Sequence, residues 1–319
     1  MNSSADRIGG ELGTLAVLTA SYRPDFRHFT ELHSSVVQYT SDDVVHHVVV
    51  PNRDVALFTT IESRRLTVHP IDALLPRSFL STYPLGSRLR GIPRMSRVAR
   101  VEALNLLRPW PPVRGWVLQQ IVKLAATSRI EANVVLLVDS DVALIRPVGA
   151  DDFLRGGAVR FYRLPGGITT AMARHAAWRD AANRLLGLDA RSSDPSADYV
   201  TSFLTWDPRI VRRVGERVRE VTGDDWRAAV ARELHFSECF LYGTYVDRLG
   251  TDADRSFTRS DTLCRSHWGT TPLDRAAAVR FVDSIGPDDV AVHVQSTSRT
   301  PPDIRRYVLD AAAERVKDF

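Results

Sequence analysis

Val134-Val135-Leu136-Leu137-Val138-Asp139-Ser140-Asp141-Val142-Ala143-Leu144 is the stretch on which the reading of this chain turns. Five consecutive apolar residues, three of them valines, run directly into two carboxylates spaced two apart. A short apolar run of this kind, rich in β-branched residues and ending in polar ones, reads as a strand buried on both faces. In an open α/β sheet, ligands bind outside the carboxyl ends of such strands. Side chains two apart on a strand point the same way, so Asp139 and Asp141 are expected to converge on one hard cation, which prefers oxygen ligands. Asp-Ser-Asp after a strand also reads as an N-cap and turn, in which the carboxylates satisfy backbone N–H groups.

The surrounding chain alternates in the way a parallel sheet requires. Residues 15–22 read as a first strand that runs into the turn Arg23-Pro24-Asp25. A helix is expected from Phe26 to Tyr39, with Phe29, Leu32, Val36 and Val37 at helical spacing. Residues 46–51 and 65–70 read as further strands. Strand, helix, strand at these separations argues for βαβ units. Gly115 to Ala126 is a helix with a buried stripe of Val117, Ile121, Leu124 and Ala125, while Gln119 and Lys123 share another face. Strands are expected at 158–163, 199–206 and 290–296. Helices are expected at 171–187, 208–222, 225–234, from Ser237 onward, and at 304–316. Residues 76–100, with three prolines and six arginines, read as a solvated basic loop or a flap over an anionic ligand.

Composition bounds the class. The chain has 319 residues, 44% hydrophobic and 25% charged, as in an ordinary globular protein with a substantial core. No apolar run approaches the roughly 20 residues that span a membrane, and the N-terminus lacks the apolar segment of a signal peptide. Two cysteines, Cys239 and Cys264, make neither a disulfide framework nor a metal cluster, so a cytoplasmic location is expected. The net charge is +4, and 40 of the 42 basic residues are arginine, only Lys123 and Lys317 being lysine. Mild positive charge suits an anionic small substrate. No nucleic-acid-binding motif is present, and the oligomeric state is open.

Taken in order, several motifs resemble a bacterial family of nucleotide-sugar transferase-like proteins related to GT-A glycosyltransferases. They are Thr19-Ala20-Ser21-Tyr22-x-Pro24-Asp25; Gly115-Trp116-x-x-Gln119-Gln120-x-x-Lys123-Leu124; Asp139-Ser140-Asp141 with Arg146-Pro147; Phe236-Ser237-Glu238-x-x-Leu241-Tyr242-Gly243; and His293-x-Gln295-Ser296. The resemblance spans roughly residues 14 to 300. It implies a single GT-A-like α/β domain over 14–319 with a mostly parallel, Rossmann-like sheet, preceded by a flexible tail at 1–13. Within it, residues 14–145 form a nucleotide-binding half, 146–300 an acceptor half and 301–319 a C-terminal helix.

The same resemblance implies a metal-dependent glycosyltransferase that moves a sugar from a nucleoside-diphosphate sugar, expected to be a UDP-sugar, to a hydroxyl acceptor. Mn2+ or Mg2+ would be held by Asp139, Asp141 and His293. Ala20, Ser21, Tyr22, Asn52, Lys123, Asp139 and Ser140 would contact the nucleotide. Tyr162, Asp198 and Trp206 are placed on the acceptor side. Glu238 is the candidate general base; at the start of a helix it reads equally as a dipole-stabilising residue, and the dipole would lower its pKa and weaken it as a base.

Two other readings remain open at this level. A haloacid-dehalogenase-type phosphatase also starts from an apolar strand ending in Asp-x-Asp, with Asp139 as nucleophile. Gly286-Pro287-Asp288-Asp289 is similar to its later acidic motif, although Ala143 stands where that family commonly has a small hydroxyl. The third reading is a non-catalytic nucleotide-binding domain.

Overall fold

The structure is a computed structural model that describes residues 13–81, 101–105, 113–189, 196–250 and 257–319. The chain begins with β1 (Leu15–Ala20), a short 3-10 turn at Arg23–Asp25, and α1 (Phe26–Tyr39). β2 (Val45–Val50), α2 (Val55–Phe58) and β3 (Leu66–Pro70) follow. β4 (Phe79–Ser81), β5 (Val101–Asn105) and β6 (Val113–Arg114) pair antiparallel in a small sheet. α3 (Gly115–Thr127) then leads to β7 (Val134–Val138) and β8 (Val142–Leu144). Beyond these lie β9 (Leu154–Arg155), β10 (Ala158–Val159), β11 (Phe161–Tyr162), α4 (Ala173–Leu186) and β12 (Phe203–Trp206). α5 (Pro208–Thr222), α6 (Trp226–Ala231), α7 (Glu238–Arg248), β13 (Thr258–Arg259), β14 (Cys264–His267), α8 (Arg275–Asp283), β15 (Ala291–Val294) and α9 (Pro302–Arg315) complete it.

The central sheet has the order β12-β7-β1-β2-β3. β7, β1, β2 and β3 are parallel, and β12 is antiparallel to β7. This is the mostly parallel α/β sheet expected from the sequence. Both faces are covered, which is why β1 and β7 are buried throughout. Alternation divides their side chains between two cores. Ala16, Leu18, Val135 and Leu137 pack with α3, α5 and α7. Leu15, Val17, Val134, Leu136 and Val138 pack with Leu32 and Val36 of α1. Successive strands run outward from β1 through β2 to β3, whereas β7 returns to the other side of β1. The carboxyl ends of β1 and β7 therefore flank a topological switch point, where the crevice of an open α/β sheet opens.

After β7 the chain leaves the central sheet. β8 joins a second sheet of order β14-β15-β8, with β15 antiparallel to β8 and parallel to β14. β12 and β15 thus come from beyond residue 145, yet pair with β7 and β8.

Some expected elements differ. The strand expected over 158–163 is split: β10 pairs with β9 through a turn in which Gly156 and Gly157 adopt positive φ, and β11 pairs with β13. The strand expected over 199–206 begins only at Phe203. The basic segment at 76–100 lies outside the described residues from 82 onward. Among the described residues no helix is long and apolar enough to cross a membrane. Cys239 and Cys264 are free and buried.

Candidate active site

At the end of β7 the chain turns rather than continuing extended: Val142 N–H donates to the Asp139 carbonyl at 3.1 Å. Strand alternation therefore does not set the two carboxylates, and each is held by its own partners. Asp139 keeps 40% of its side chain exposed and accepts a hydrogen bond from Lys123 Nζ at 3.1 Å. Asp141 is buried. Its Oδ2 accepts from Ser296 N–H at 2.6 Å, and its Oδ1 lies 3.3 Å from His293 Nε2. Burial alone would raise the Asp141 pKa, but His293, the Ser296 N–H and Arg305 outweigh it and hold the carboxyl at about 2.

Lys123 reaches this edge because α3 carries Gln120 and Lys123 on the side facing α7. Its ammonium is nearly buried and lies between Asp139 and Glu238, 3.3 Å from Glu238 Oε1. Burial pulls its pKa down, and the two carboxylates more than reverse that, so it stays charged. The backbone N–H of Glu238 donates to Gln120 Oε1 at 3.3 Å, which ties the first turn of α7 to α3. Glu238 is 3% exposed. In this structure Glu238 is the buried counter-ion of Lys123.

On the β1 side, Ala20 and Ser21 are buried. Ser140 Oγ donates to Ser21 Oγ at 2.9 Å, so these two hydroxyls stitch the ends of β1 and β7 together across the switch point. Tyr22, next in the chain after Ser21, is 41% exposed. Asn52 Nδ2 donates to Asp72 Oδ2 at 2.6 Å, binding the end of β2 to the end of β3, and buried Asp54 accepts from Arg23 N–H at 3.0 Å.

Sequence reasoning left three site residues without a role. Asp25, at the turn into α1, has its pKa raised to about 6 by burial and then by Asp141 and Asp139. Burial dominates that shift, and the two carboxylates at the end of β7 add to it. Its signal was its place after the first strand, within Tyr22-x-Pro24-Asp25. Arg305, on α9 and 3% exposed, donates to Glu31 Oε2 at 2.8 Å, the Val294 carbonyl at 3.0 Å and the Asp141 carbonyl at 3.1 Å. Nothing in its local sequence sets it apart from other arginines. His28, on α1, has its pKa lowered by burial and then by Arg305.

Three polar atoms around Asp141 are buried without a protein partner: His28 Nδ1, His293 Nδ1 and Gln295 Oε1. Buried polar groups are ordinarily satisfied, so this concentration marks unspent bonding capacity. Among the described residues no three His, Cys, Asp or Glu side chains are gathered closely enough to hold a metal by themselves. The oxygen-rich, net-negative corner at Asp25, Asp139 and Asp141 does fit a hard divalent cation that keeps water or ligand oxygens in its shell.

The acceptor-side expectations divide. Tyr162 and Asp198 are brought together: burial and then the Asp198 charge raise the Tyr162 pKa. Asp198 also accepts from Val200 N–H at 3.1 Å and lies 3.2 Å from His175 Nδ1. Trp206 is not an acceptor contact. It is 1% exposed and stacks on Tyr242 at 5.0 Å within the core, because both faces of β12 are covered. The acidic Asp288-Asp289 pair precedes the start of β15, at the opposite end from His293, and Asp289 Oδ2 accepts from Gly286 N–H at 2.8 Å. It closes a turn there.

Fold and site together define an α/β protein with an acidic, cation-compatible site at the switch point of an open sheet. The chain belongs to DUF6492, a family of unknown function, whose model matches residues 14–285. No curated protein matches it. Among solved structures, mouse xyloside xylosyltransferase 1 in its apo form is similar at 12% identity, over 90% of this chain and 99% of that one, with a TM-score of 0.44. The apo-form glycosyltransferase GlyE of Streptococcus pneumoniae is similar at 10% identity, over 96% of this chain and 62% of that one, with a TM-score of 0.42.

Proposed function

We propose that this protein transfers a glycosyl group from a nucleoside-diphosphate sugar to a hydroxyl acceptor. One observation carries the reading: Asp139 and Asp141 emerge at the topological switch point, flanked by Lys123 on one side and His293 on the other. The order of motifs from Thr19 to Ser296 supports it, since the resemblance implied this use of these positions. Asp139 and Asp141 would hold Mn2+ or Mg2+, which when bound neutralises the charge of a leaving diphosphate.

The chain's own residues do the rest. Tyr22 offers an exposed ring for the base beside the Ser21–Ser140 stitch. Lys123, kept charged by Glu238, supplies positive charge beside Asp139. Arg305 and Ser296 fix the carbonyl and the carboxylate of Asp141, so that its orientation is set before ligand arrives. Tyr162 and Asp198 are retained as acceptor-side candidates.

The test is thermal unfolding against UDP, GDP, CDP and ADP, each with Mn2+, Mg2+ or chelator. A ligand that binds only the folded state raises its stability by mass action, about 2.7 kcal/mol at a hundredfold excess over Kd. One diphosphate is expected to raise the transition only with metal, and Asp141→Asn to abolish that shift. Absence of a shift with every diphosphate and metal would overturn the donor site, and hydrolysis of a phosphomonoester would then be assayed.

A further inference from the structure

Trp268 follows β14 directly and is 50% exposed, although most large aromatic side chains here are buried. Its ring centroid lies 4.5 Å from that of His293, at an interplanar angle of 61°. His293 in turn touches Asp141 Oδ1 at 3.3 Å. The indole is therefore one side chain removed from the carboxylate assigned to the donor diphosphate.

The loop that presents it is fixed. The His267 carbonyl accepts from Gln295 N–H at 3.1 Å, continuing the register of β14 on β15. The His267 ring folds back so that Nε2 lies 3.1 Å from the Thr271 carbonyl. Gly269 makes room for it: a Cβ there would come within 2.7 Å of His267 Cε1. A large apolar ring held half in water by a braced loop, beside buried atoms with unspent bonding capacity, is the composition of a ligand wall, since ligand sites combine aromatic surface with a few placed polar groups.

We infer that Trp268 is the stacking platform for the sugar ring of the donor. The inference rests on the donor-site reading above and adds the residue that distinguishes a sugar nucleotide from a bare diphosphate. A pyranose presents an apolar C–H face that an indole covers well, while its hydroxyls need polar partners such as Gln295 Oε1, buried without one nearby. Tyr22, at the end of β1, takes the other end of the same ligand.

The test compares wild type, Trp268→Ala and Trp268→Phe by calorimetry, with Mn2+ present. The probes are matched pairs: UDP with UDP-glucose, GDP with GDP-mannose, and ADP with ADP-glucose. For the pair that binds wild type, Trp268→Ala is expected to weaken the sugar nucleotide about tenfold, the order of one lost aromatic stack. The bare diphosphate should change less than twofold, and Trp268→Phe should keep most of the sugar affinity. Equal affinities for both members in Trp268→Ala and wild type would overturn the platform while leaving the donor site intact. An equal loss for both members would make Trp268 a wall for base or diphosphate and would also overturn the inference. If wild type binds none of the probes, the donor site falls and the platform falls with it.

Discussion

Replacing Lys123 by methionine isolates the interaction that joins α3, the end of β7 and the start of α7. Lys123 Nζ lies 3.1 Å from Asp139 Oδ1 and 3.3 Å from Glu238 Oε1. At an effective dielectric of about 20, each contact has a gross attraction on the order of 5 kcal/mol. Desolvation of the ammonium offsets much of that, and the two carboxylates differ. Asp139 keeps 40% of its side chain in water, so losing the lysine leaves it hydrated, at a cost of about 1 kcal/mol. Glu238 keeps only 4%, and a buried charge left unpaired costs about 3 kcal/mol. Lys123→Met should therefore lose about 4 kcal/mol in denaturant unfolding at neutral pH. Adding Glu238→Gln removes the stranded charge and should restore about 2 kcal/mol, although Gln alone destabilises wild type. The double-mutant cycle thus has a large coupling energy. If the two losses simply added, or if Lys123→Met matched wild type within about 0.5 kcal/mol, the ion triad would not be a stability element.

Arg305→Met should cost about 2–3 kcal/mol, since it leaves two buried carbonyls without their donor while Glu31 keeps Arg27 at 3.5 Å, and it should also weaken metal-dependent diphosphate binding; a destabilised variant with unchanged binding would separate Arg305 from the site. His33, His46, His47 and His69 all have pKa values lowered first by burial, His47 to about 4. Between pH 6.5 and about 4 the unfolded chain binds more protons than the folded one, so stability is full above pH 6.5 and is lost as pH falls. Buried His46 contributes to that loss, and His46→Gln should flatten the slope measured by denaturant melts from pH 7.5 to 5; an unchanged slope would refute it. Gly243→Ala would set a Cβ 2.4 Å from the Tyr199 ring, and should lose about 1–3 kcal/mol despite the better helix propensity of alanine; a stabilised variant in thermal melts would show that α7 and Tyr199 can part freely.

Much of the fold could be read from the chain because its strands are buried on both faces. Val134–Val138 shows as an unbroken apolar run, and α1 appears in the structure over the residues expected, Phe26–Tyr39. β14 and α8 were not anticipated. Cys-Arg-Ser-His has one apolar residue, and the strand exists because β15 pairs with it, which no local pattern encodes. Trp206, which the resemblance put on the acceptor side, lies in the core with residues of α4, α5 and α7, packing that no local pattern encodes. The carboxylates at 139 and 141 could be found from position alone. Their partners could not, since Lys123 meets Glu238 only when α3 packs against α7, and Arg305 reaches Asp141 from 164 residues away.

The two carboxylates of one tripeptide answer to different parts of the molecule. Asp139 is held from α3 and, through Lys123, from α7. Asp141 is held by β15, the turn after it and α9. Between them the chain passes from the central sheet into the second sheet, and the Ser140–Ser21 contact ties that turn back to the end of β1. A ligand that engages both carboxylates therefore bridges two separately braced sheets. The corner has rigid supports on each side: burial, and then the charges of Asp141 and Asp139, raise the pKa of Asp25 to about 6, and positive charge entering between the carboxylates would relieve that repulsion.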